Sequence, residues 1–368
     1  MKSKEMNEQL MEPFKAPEGY TFEALRQLSN EDDLPELKEK HQLIEQYDTN
    51  QLLQVMAVLN MPVSDEWSKE KLLATYYDKY YSPRYLKWLI SFVDPRINQL
   101  FINDAFISKE SVPPQVWSDI LPVLDILTQT GIIESQKVSE FDAIFKARPA
   151  YSEMLFTLAE KDIFRHTNEF NVLLVSLMNQ LITVYGIMKA DEVKSYLIQF
   201  NLTIEEKAEY ILELIRTMPL VFTVFGYMDD LFVSKRFNSP EKREALLEQQ
   251  SKFERYHIDT IQEALQIANN VFLRVPSSRL LRRLKDITKE ASANLPKGFE
   301  EHLIQQVLNF PIPSVEPLFN LVEQFVSVTD EQKQLLEEDL KILVRHKHLP
   351  EFNGQSVHEL MKKQKAEG

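Results

Sequence analysis

The chain has 368 residues, 44% of them hydrophobic and 27% charged, a balance that fits a folded soluble protein with room for two or three cores. Its formal net charge of −14 opposes nonspecific binding to nucleic acid or anionic lipid. It has no cysteine, which excludes disulfides, thiol nucleophiles and cysteine-ligated zinc, and only 7 glycines, which argues against phosphate-cradling loops and most α/β nucleotide enzymes. Abundant leucine, glutamate, glutamine and lysine favour helix.

In chain order, residues 1–30 read as a polar, loosely held lead-in with Pro13, Pro17 and Gly19. It lacks the apolar core of a signal peptide. A helix is expected from Leu34 to Tyr47. Asp48 or Thr49 then caps a short helix with Leu52, Leu53, Met56 and Leu59 on one face. Asn60-Met61-Pro62-Val63-Ser64 turns the chain, and Ser68 caps a second helix bearing Leu72, Leu73, Tyr76 and Tyr80. Together they predict an αα-hairpin over 49–80. Short helices follow from Pro83 to Phe101, interrupted at Asp94-Pro95. Pro113-Pro114 opens a helical stretch to about Leu127 that Pro122 is expected to kink or split, with Gly131 as its C′ residue. Ile132-Ile133-Glu134 and Phe141 to Phe145 read as two short strands, so that helix and hairpin resemble a winged-helix ending.

Residues 149–217 predict a helical array with a turn at Tyr185-Gly186-Ile187 and a capping box at Thr203-Ile204-Glu205-Glu206. Leu220 to Val233 is apolar and β-branched, either a hairpin or a buried helix edge. Helices then follow over Pro240–Phe253, Ile258–Val271, 276–294, 298–309, 314–327 and 330–348. The apolar stretch Leu173–Ile187 is too short and too polar to span a bilayer. The fold class is mostly α: an array of short helix-turn-helix units with at most one or two small β-hairpins. The expected organisation is a lead-in over 1–30, an N-terminal helical domain over 31–148, and a C-terminal helical array over 149–368.

Several residue groups invite a chemical reading. Tyr227-Met228-Asp229-Asp230 spells the reverse-transcriptase palm motif, whose aspartates bind two Mg²⁺ on a mixed-sheet palm. A helical, glycine-poor, acidic chain gives that motif no palm, so it reads as a coincidence at a turn or cap. His346, His348 and His358, with Glu351 and Glu359, suggest a metal site, but a spacing of two puts His346 and His348 on different helix faces. His166 has no serine or cysteine partner in a nucleophile context. Tyr76, Tyr77, Tyr80, Tyr81, Tyr85 and Trp88 form an aromatic run that lacks the interleaved cations of a base-stacking platform and reads as packing. The one basic stretch, Arg274, Arg279, Arg282, Arg283, Lys285 and Lys289, is offset by Asp286 and Glu290. Leu280, Leu281, Leu284 and Ile287 supply its buried side. Such a face docks nucleic acid or an acidic partner, or pairs internally with the acidic helix around Glu337, Glu338 and Asp339.

The hairpin Asn50-Gln51-Leu52-Leu53, Met61-Pro62-Val63, Ser68-Lys69-Glu70-Lys71-Leu72-Leu73 resembles the SAP-like or Rho-N-terminal-like helical hairpin. Together with the Tyr185-Gly186 turn and the ending Asn353-Gly354-Gln355-Ser356, the order resembles the bacterial SEC-C-associated multi-helical proteins, here without their cysteine-rich zinc tail. That resemblance implies a helical architecture and a nucleic-acid link. The hairpin itself is acidic, with three lysines against six carboxylates between His41 and Tyr80. The expectation is therefore a non-catalytic, cytoplasmic, bacterial interaction module or adaptor that binds a protein and needs no cofactor, metal or membrane. The alternative is a nucleic-acid-associated regulator working through the Arg274–Lys289 face. A more distant alternative is a hydrolase or nuclease hidden among 56 acidic residues.

Overall fold

The computed structural model describes residues 39–104, 106–139, 142–267, 274–289 and 327–367, with Glu300 and Glu323 as single positions. The described residues form fifteen α-helices and two small three-stranded antiparallel sheets, the mostly helical class that the composition predicts. No helix among them is long and apolar enough to cross a membrane. The expected helices over 298–309 and 314–327, and the lead-in over 1–30, lie outside the described residues. Contacts group the chain into two compact units. Unit 1 is Met1–Ser111, Ile120–Met178 and Met188–Phe232, and unit 2 is Val112–Asp119, Asn179–Ile187 and Val233–Gly368. The chain thus divides elsewhere than at the expected 148/149, where Arg148 is itself a buried residue.

Unit 1 opens with α1 (Gln42–Gln46), α2 (Thr49–Val58) and α3 (Lys69–Tyr80). The 34–47 helix predicted here is shorter than expected in its described part. Asp48 and Gln51 close a reciprocal capping box on α2, and the Ser68 side chain accepts from the Lys71 amide at the head of α3. The apolar positions four apart, Leu52 with Met56 and Leu72 with Tyr76 and Tyr80, are buried as the helical period requires. Next come α4 (Pro83–Ile90) and α5 (Pro95–Asn103), each with proline in its first turn and Asp94 capping the second. Helix α7 (Pro149–Ala159) packs against both.

The end of α4 leaves backbone carbonyls buried, and two asparagines satisfy them, Asn98 Nδ2 donating to Ile90 O (3.3 Å) and Val93 O (3.4 Å). Asn168 Nδ2 donates to Ser91 O (2.9 Å) and Val93 O (2.7 Å). Asn171 Nδ2 donates to Ser91 Oγ at 2.9 Å, and Tyr151 OH donates to Asn98 Oδ1 at 2.7 Å. Asn168 and Asn171 ride on α8 (Asp162–Tyr185), so this network is the polar pin between α4, α5, α7 and the unit 1 part of α8.

The first sheet joins β1 (Phe106–Ile107), β2 (Ile133–Ser139) and β3 (Asp142–Ala147) in the order β1-β3-β2. Helix α6 (Pro114–Gln129) lies between β1 and β2 in sequence and continues through Pro122, so of the expected kink or split the split does not occur. Its end is a Schellman turn: Ile132 N donates to Leu127 O and Gly131 N to Thr128 O, with Gly131 at φ +70°. Unit 1 continues through α9 (Ala190–Gln199) and α10 (Ala208–Arg216). The predicted capping box at Thr203 is absent. Glu205–Lys207 form a single 3₁₀ turn, and α10 begins at Ala208 with no side-chain cap. The second sheet has the order β4-β6-β5, from β4 (Ile187–Lys189), β5 (Phe225–Met228) and β6 (Leu231–Ser234). The Leu220–Val233 stretch is thus the hairpin rather than a helix.

Unit 2 contains α11 (Pro240–Gln250), α12 (Ile261–Ile267), α13 (Arg274–Thr288), α14 (Asp330–Arg345) and α15 (Val357–Glu367). Helices α13 and α14 pack on each other, with Leu280, Leu284, Leu336, Leu340 and Leu343 fully buried. The turn at Gly186 and the loop around Gly354 come together within this unit. Gln250 Nε2 donates to both Tyr185 O (2.7 Å) and Pro350 O (2.9 Å), and the Tyr185 hydroxyl donates to Tyr256 O at 2.8 Å. A Cβ on Gly354 would stand 2.8 Å from the Tyr185 ring, which accounts for glycine there. The two motifs quoted for the family resemblance, distant in sequence, are therefore one packed corner.

Candidate interaction surfaces

The cationic stretch forms most of α13, and the structure divides it. Arg283 Nε donates to Asp339 Oδ2, and Arg279 Nε lies 2.6 Å from Asp339 Oδ1. Asp339 sits on α14 and is only 1% exposed, so the two guanidinium groups neutralise a buried carboxylate. Arg282, Lys285 and Lys289 are exposed along the same helix. Arg274 lies in its first turn. Three of the six candidate residues are thus outward-facing, and two are spent on α13–α14 packing.

The C-terminal histidines are close together in unit 2. The rings of His346 and His358 lie 4.1 Å apart, bridging the end of α14 and the start of α15. His348 is oriented separately. Its Nδ1 is 2.6 Å from Gly354 O and so carries the proton, and its ring lies 4.6 Å from that of Tyr256. Glu359 is engaged by its own helix cap, accepting from Ser356 N (2.8 Å) and Ser356 Oγ (3.0 Å). Among the described residues no group of three or more histidines and carboxylates is arranged to hold a metal ion. His166 is exposed on α8.

The aromatic run lines the inside of unit 1. Tyr76 and Tyr80 are fully buried and donate to Thr130 O (2.8 Å) and Ile132 O (3.3 Å). Tyr81 donates to Glu39 O at 2.6 Å, and Tyr85 to Leu59 O at 2.7 Å. Burial pushes the Tyr77 hydroxyl up to about 12. The Tyr77 hydroxyl accepts from His41 N at 2.9 Å, the other hydroxyls donate to backbone carbonyls, and the run is not presented to solvent as a stacking platform.

Tyr227-Met228-Asp229-Asp230 forms the end of β5 and the two-residue turn into β6. Asp229 and Asp230 both have positive φ (51° and 62°), the geometry of a hairpin turn in which aspartate is tolerated. Tyr227 OH donates to Asp230 Oδ1 at 2.7 Å, which raises the phenol above its ordinary range. The Arg216 guanidinium stacks 5.1 Å from the Tyr227 ring and pairs with Glu209 (2.6 Å), Glu213 (3.4 Å) and Asp230 (3.9 Å). The turn is therefore tied to α10.

That tie reveals a surface that the sequence reading passed over. The outer face of α10 carries Glu209, Tyr210, Glu213, Arg216 and Thr217, while Ile211, Leu212, Leu214 and Ile215 are buried. Thr217 O and Met218 O accept from Asn60 Nδ2 at 3.0 and 2.7 Å, which brings the α2–α3 turn alongside. Exposed large apolar side chains punctuate this region: Tyr210 at 67%, Ile204 at 57%, Val224 at 41% and Val63 at 40%. Around them lie the exposed carboxylates of Asp65, Glu66, Glu205, Glu206, Glu209, Glu213, Asp229 and Asp230. Lys194 pairs with Glu205 at 2.6 Å. The sequence does carry a mark of it: on the helical period, Tyr210 falls beside Thr217, between Glu213 and Leu214, at the edge of the polar side of an otherwise well-segregated helix.

Among the described residues these features define a mostly helical protein in which the Tyr227–Asp230 turn, His348 and Asp339 are held by local contacts, and in which exposed apolar and acidic groups share the α10 face. No family model, curated protein or solved structure matches the chain.

Proposed function

We propose that this protein is a non-catalytic helical interaction module, an adaptor that works in the bacterial cytoplasm by binding another protein, with the architecture of the SEC-C-associated helical proteins. The observation that carries this reading is the outer face of α10. There Tyr210 and Ile204 stand outward where helix and turn would normally present polar groups, and an isolated large aromatic on a polar face is what an interface anchor requires. Side chains that would carry chemistry are committed elsewhere. Asp230 holds Tyr227 and Arg216, His348 holds the Gly354 carbonyl, and Asp339 is enclosed by two arginines.

The test is affinity purification of the full chain after in-cell crosslinking, with and without nuclease. A specific protein crosslinked in both samples supports the reading. Absence of any specific protein, or loss of every partner on nuclease treatment, ends it.

The second reading is a nucleic-acid-associated regulator, favoured by Arg282, Lys285 and Lys289 exposed along one helix. Phosphate contacts are strongest at low salt, so a mobility shift at low ionic strength that Arg282→Glu with Lys285→Glu abolishes is its expected signature.

A further inference from the structure

We propose that the surface built from the outer face of α10, the α2–α3 turn and the β5–β6 turn docks a basic amphipathic segment of a partner protein, in which lysine or arginine flanks apolar anchors. This rests on the interaction-module reading and names the surface and the chemistry of its occupant. Its continuity is fixed by bonds within unit 1. Asn60 ties the α2–α3 turn to Thr217 and Met218 at the end of α10, and Arg216 ties α10 to Tyr227 and Asp230 in the hairpin. Four exposed apolar side chains, Val63, Ile204, Tyr210 and Val224, offer contacts that an amphipathic helix would cover. Arg216 is spent on Glu209, Glu213 and Asp230, and Lys194 on Glu205. Among the described residues no cation pairs with Asp65, Glu66, Glu206 or Asp229, so the rim keeps a negative excess.

That excess selects the occupant. Phosphate backbones and anionic lipid are repelled, and a partner with cations beside its apolar anchors is steered in and registered. A second copy through the same patch would set this rim against itself, because a two-fold interface places like surface on like surface. The doubly acidic hairpin turn, which resembles a metal-binding motif in sequence, acts here as part of the charged rim.

The test uses the full chain and two synthetic helical peptides with identical leucine patterns, one with lysine and one with glutamate at the flanking positions. Titration calorimetry should show binding of the lysine peptide only, weakening ~10-fold or more between low and moderate salt as screening grows. Tyr210→Ser with Ile204→Ser, both exposed, should cost ~10-fold or more in affinity while circular dichroism stays unchanged. Asp65→Lys with Glu66→Lys and Glu206→Lys should do the same and flatten the salt dependence. Equal binding of both peptides, no binding of either, or wild-type affinity in both variants overturns the proposal. A dimer in light scattering that Tyr210→Ser dissociates also overturns it, in favour of a second copy. A crosslinked partner retained at full strength by both variants overturns this surface while leaving the adaptor reading standing. The absence of any partner overturns the adaptor reading itself.

Discussion

Arg148 in unit 1 and Asp339 in unit 2 are both buried charges, and the two are accommodated in opposite ways. In unit 1, Arg148 is 2% exposed and, among the described residues, meets no carboxylate. Its guanidinium donates to Gly131 O (2.9 Å), Glu39 O (2.7 Å) and Tyr81 OH (3.1 Å), and lies 4.2 Å from the Tyr80 ring. In unit 2, Asp339 is 1% exposed and is enclosed by Arg279 and Arg283, both reaching solvent at their far ends. A guanidinium has five donors in a plane and can be satisfied by neutral carbonyls and a ring face. A carboxylate has only acceptors, and its charge is compact, so it needs cations. The difference teaches that Arg148 organises backbone, while Asp339 joins two helices.

The largest expected effect tests the first half of that contrast. Arg148→Ala should destabilise unit 1 by about 3–5 kcal/mol, because it empties the place of a large buried side chain and leaves the Gly131 carbonyl without its donor. Urea unfolding measures the loss, and hydrogen exchange read by mass spectrometry should localise it to residues 76–81 and 130–148. Arg148→Lys should recover little, since one ammonium cannot reach all three acceptors in the guanidinium plane. Full recovery by lysine would mean that charge alone matters and would break the contrast.

Next in size is an asymmetry within unit 2. Arg279→Met with Arg283→Met strands a buried carboxylate and should cost about 3 kcal/mol or more. Asp339→Asn leaves two arginines that can turn to water and should cost about 1 kcal/mol. Adding Asp339→Leu to the double variant should restore most of the stability, as replacing a whole buried ionic group by apolar side chains commonly does. Equal costs from either side would show that Asp339 is better hydrated than its burial indicates.

A third, smaller effect separates two glycines of unit 1. Gly131→Ala should cost about 2 kcal/mol, since the residue sits at φ +70° and a Cβ would meet Ile44 Cγ1 at 2.5 Å and the Tyr76 hydroxyl at 2.7 Å. Gly226→Ala in β5 should be neutral within about 0.5 kcal/mol, because nothing lies within 4 Å of the new methyl. Thermal unfolding of the pair checks both.

What was legible in the chain follows the range of the interactions. Asp48, Ser68, Asp94 and Gly131 act within one helical turn of themselves, so caps and breaks could be read directly. The Leu280 and Leu284 stripe likewise declares a buried face by its period. Arg148 could not be read, because its acceptors come from residues 39, 81 and 131 and no local pattern records them. The Thr203 box failed because a 3₁₀ turn over Glu205–Lys207 replaced the first turn of helix, so Glu206 does not stand in an α-helical turn begun at Thr203. The α10 surface is hard to read for a different reason: Tyr210 carries no recognisable catalytic or metal-binding chemistry and lies at the edge of the polar side of its helix, so that its 67% exposure shows only in the fold.

The smallest expected effect is a pH dependence, and it sharpens the comparison because each unit holds a histidine whose proton affinity is lowered. His346 is held below its ordinary value first by burial, then by the neighbouring His358, Lys362 and His348, with Glu359 opposing. His41 in unit 1 is also lowered, by burial and by Arg148, with Ile133 O and Glu134 opposing. In both cases the folded state binds protons less readily than the unfolded chain. The stabilising contribution is therefore complete above about pH 6.5, the unperturbed histidine value, and falls as pH drops through the lowered folded value. For His346 the cost falls on a ring that lies 4.1 Å from the ring of His358, between α14 and α15. Acidification should loosen α15 first, seen as faster amide exchange over 357–367 while the Arg148 region stays protected. His346→Gln should remove most of that response and leave the contribution of His41 intact. An unchanged acid response in His346→Gln, or loosening that begins around His41, would assign the pH sensitivity to unit 1 instead.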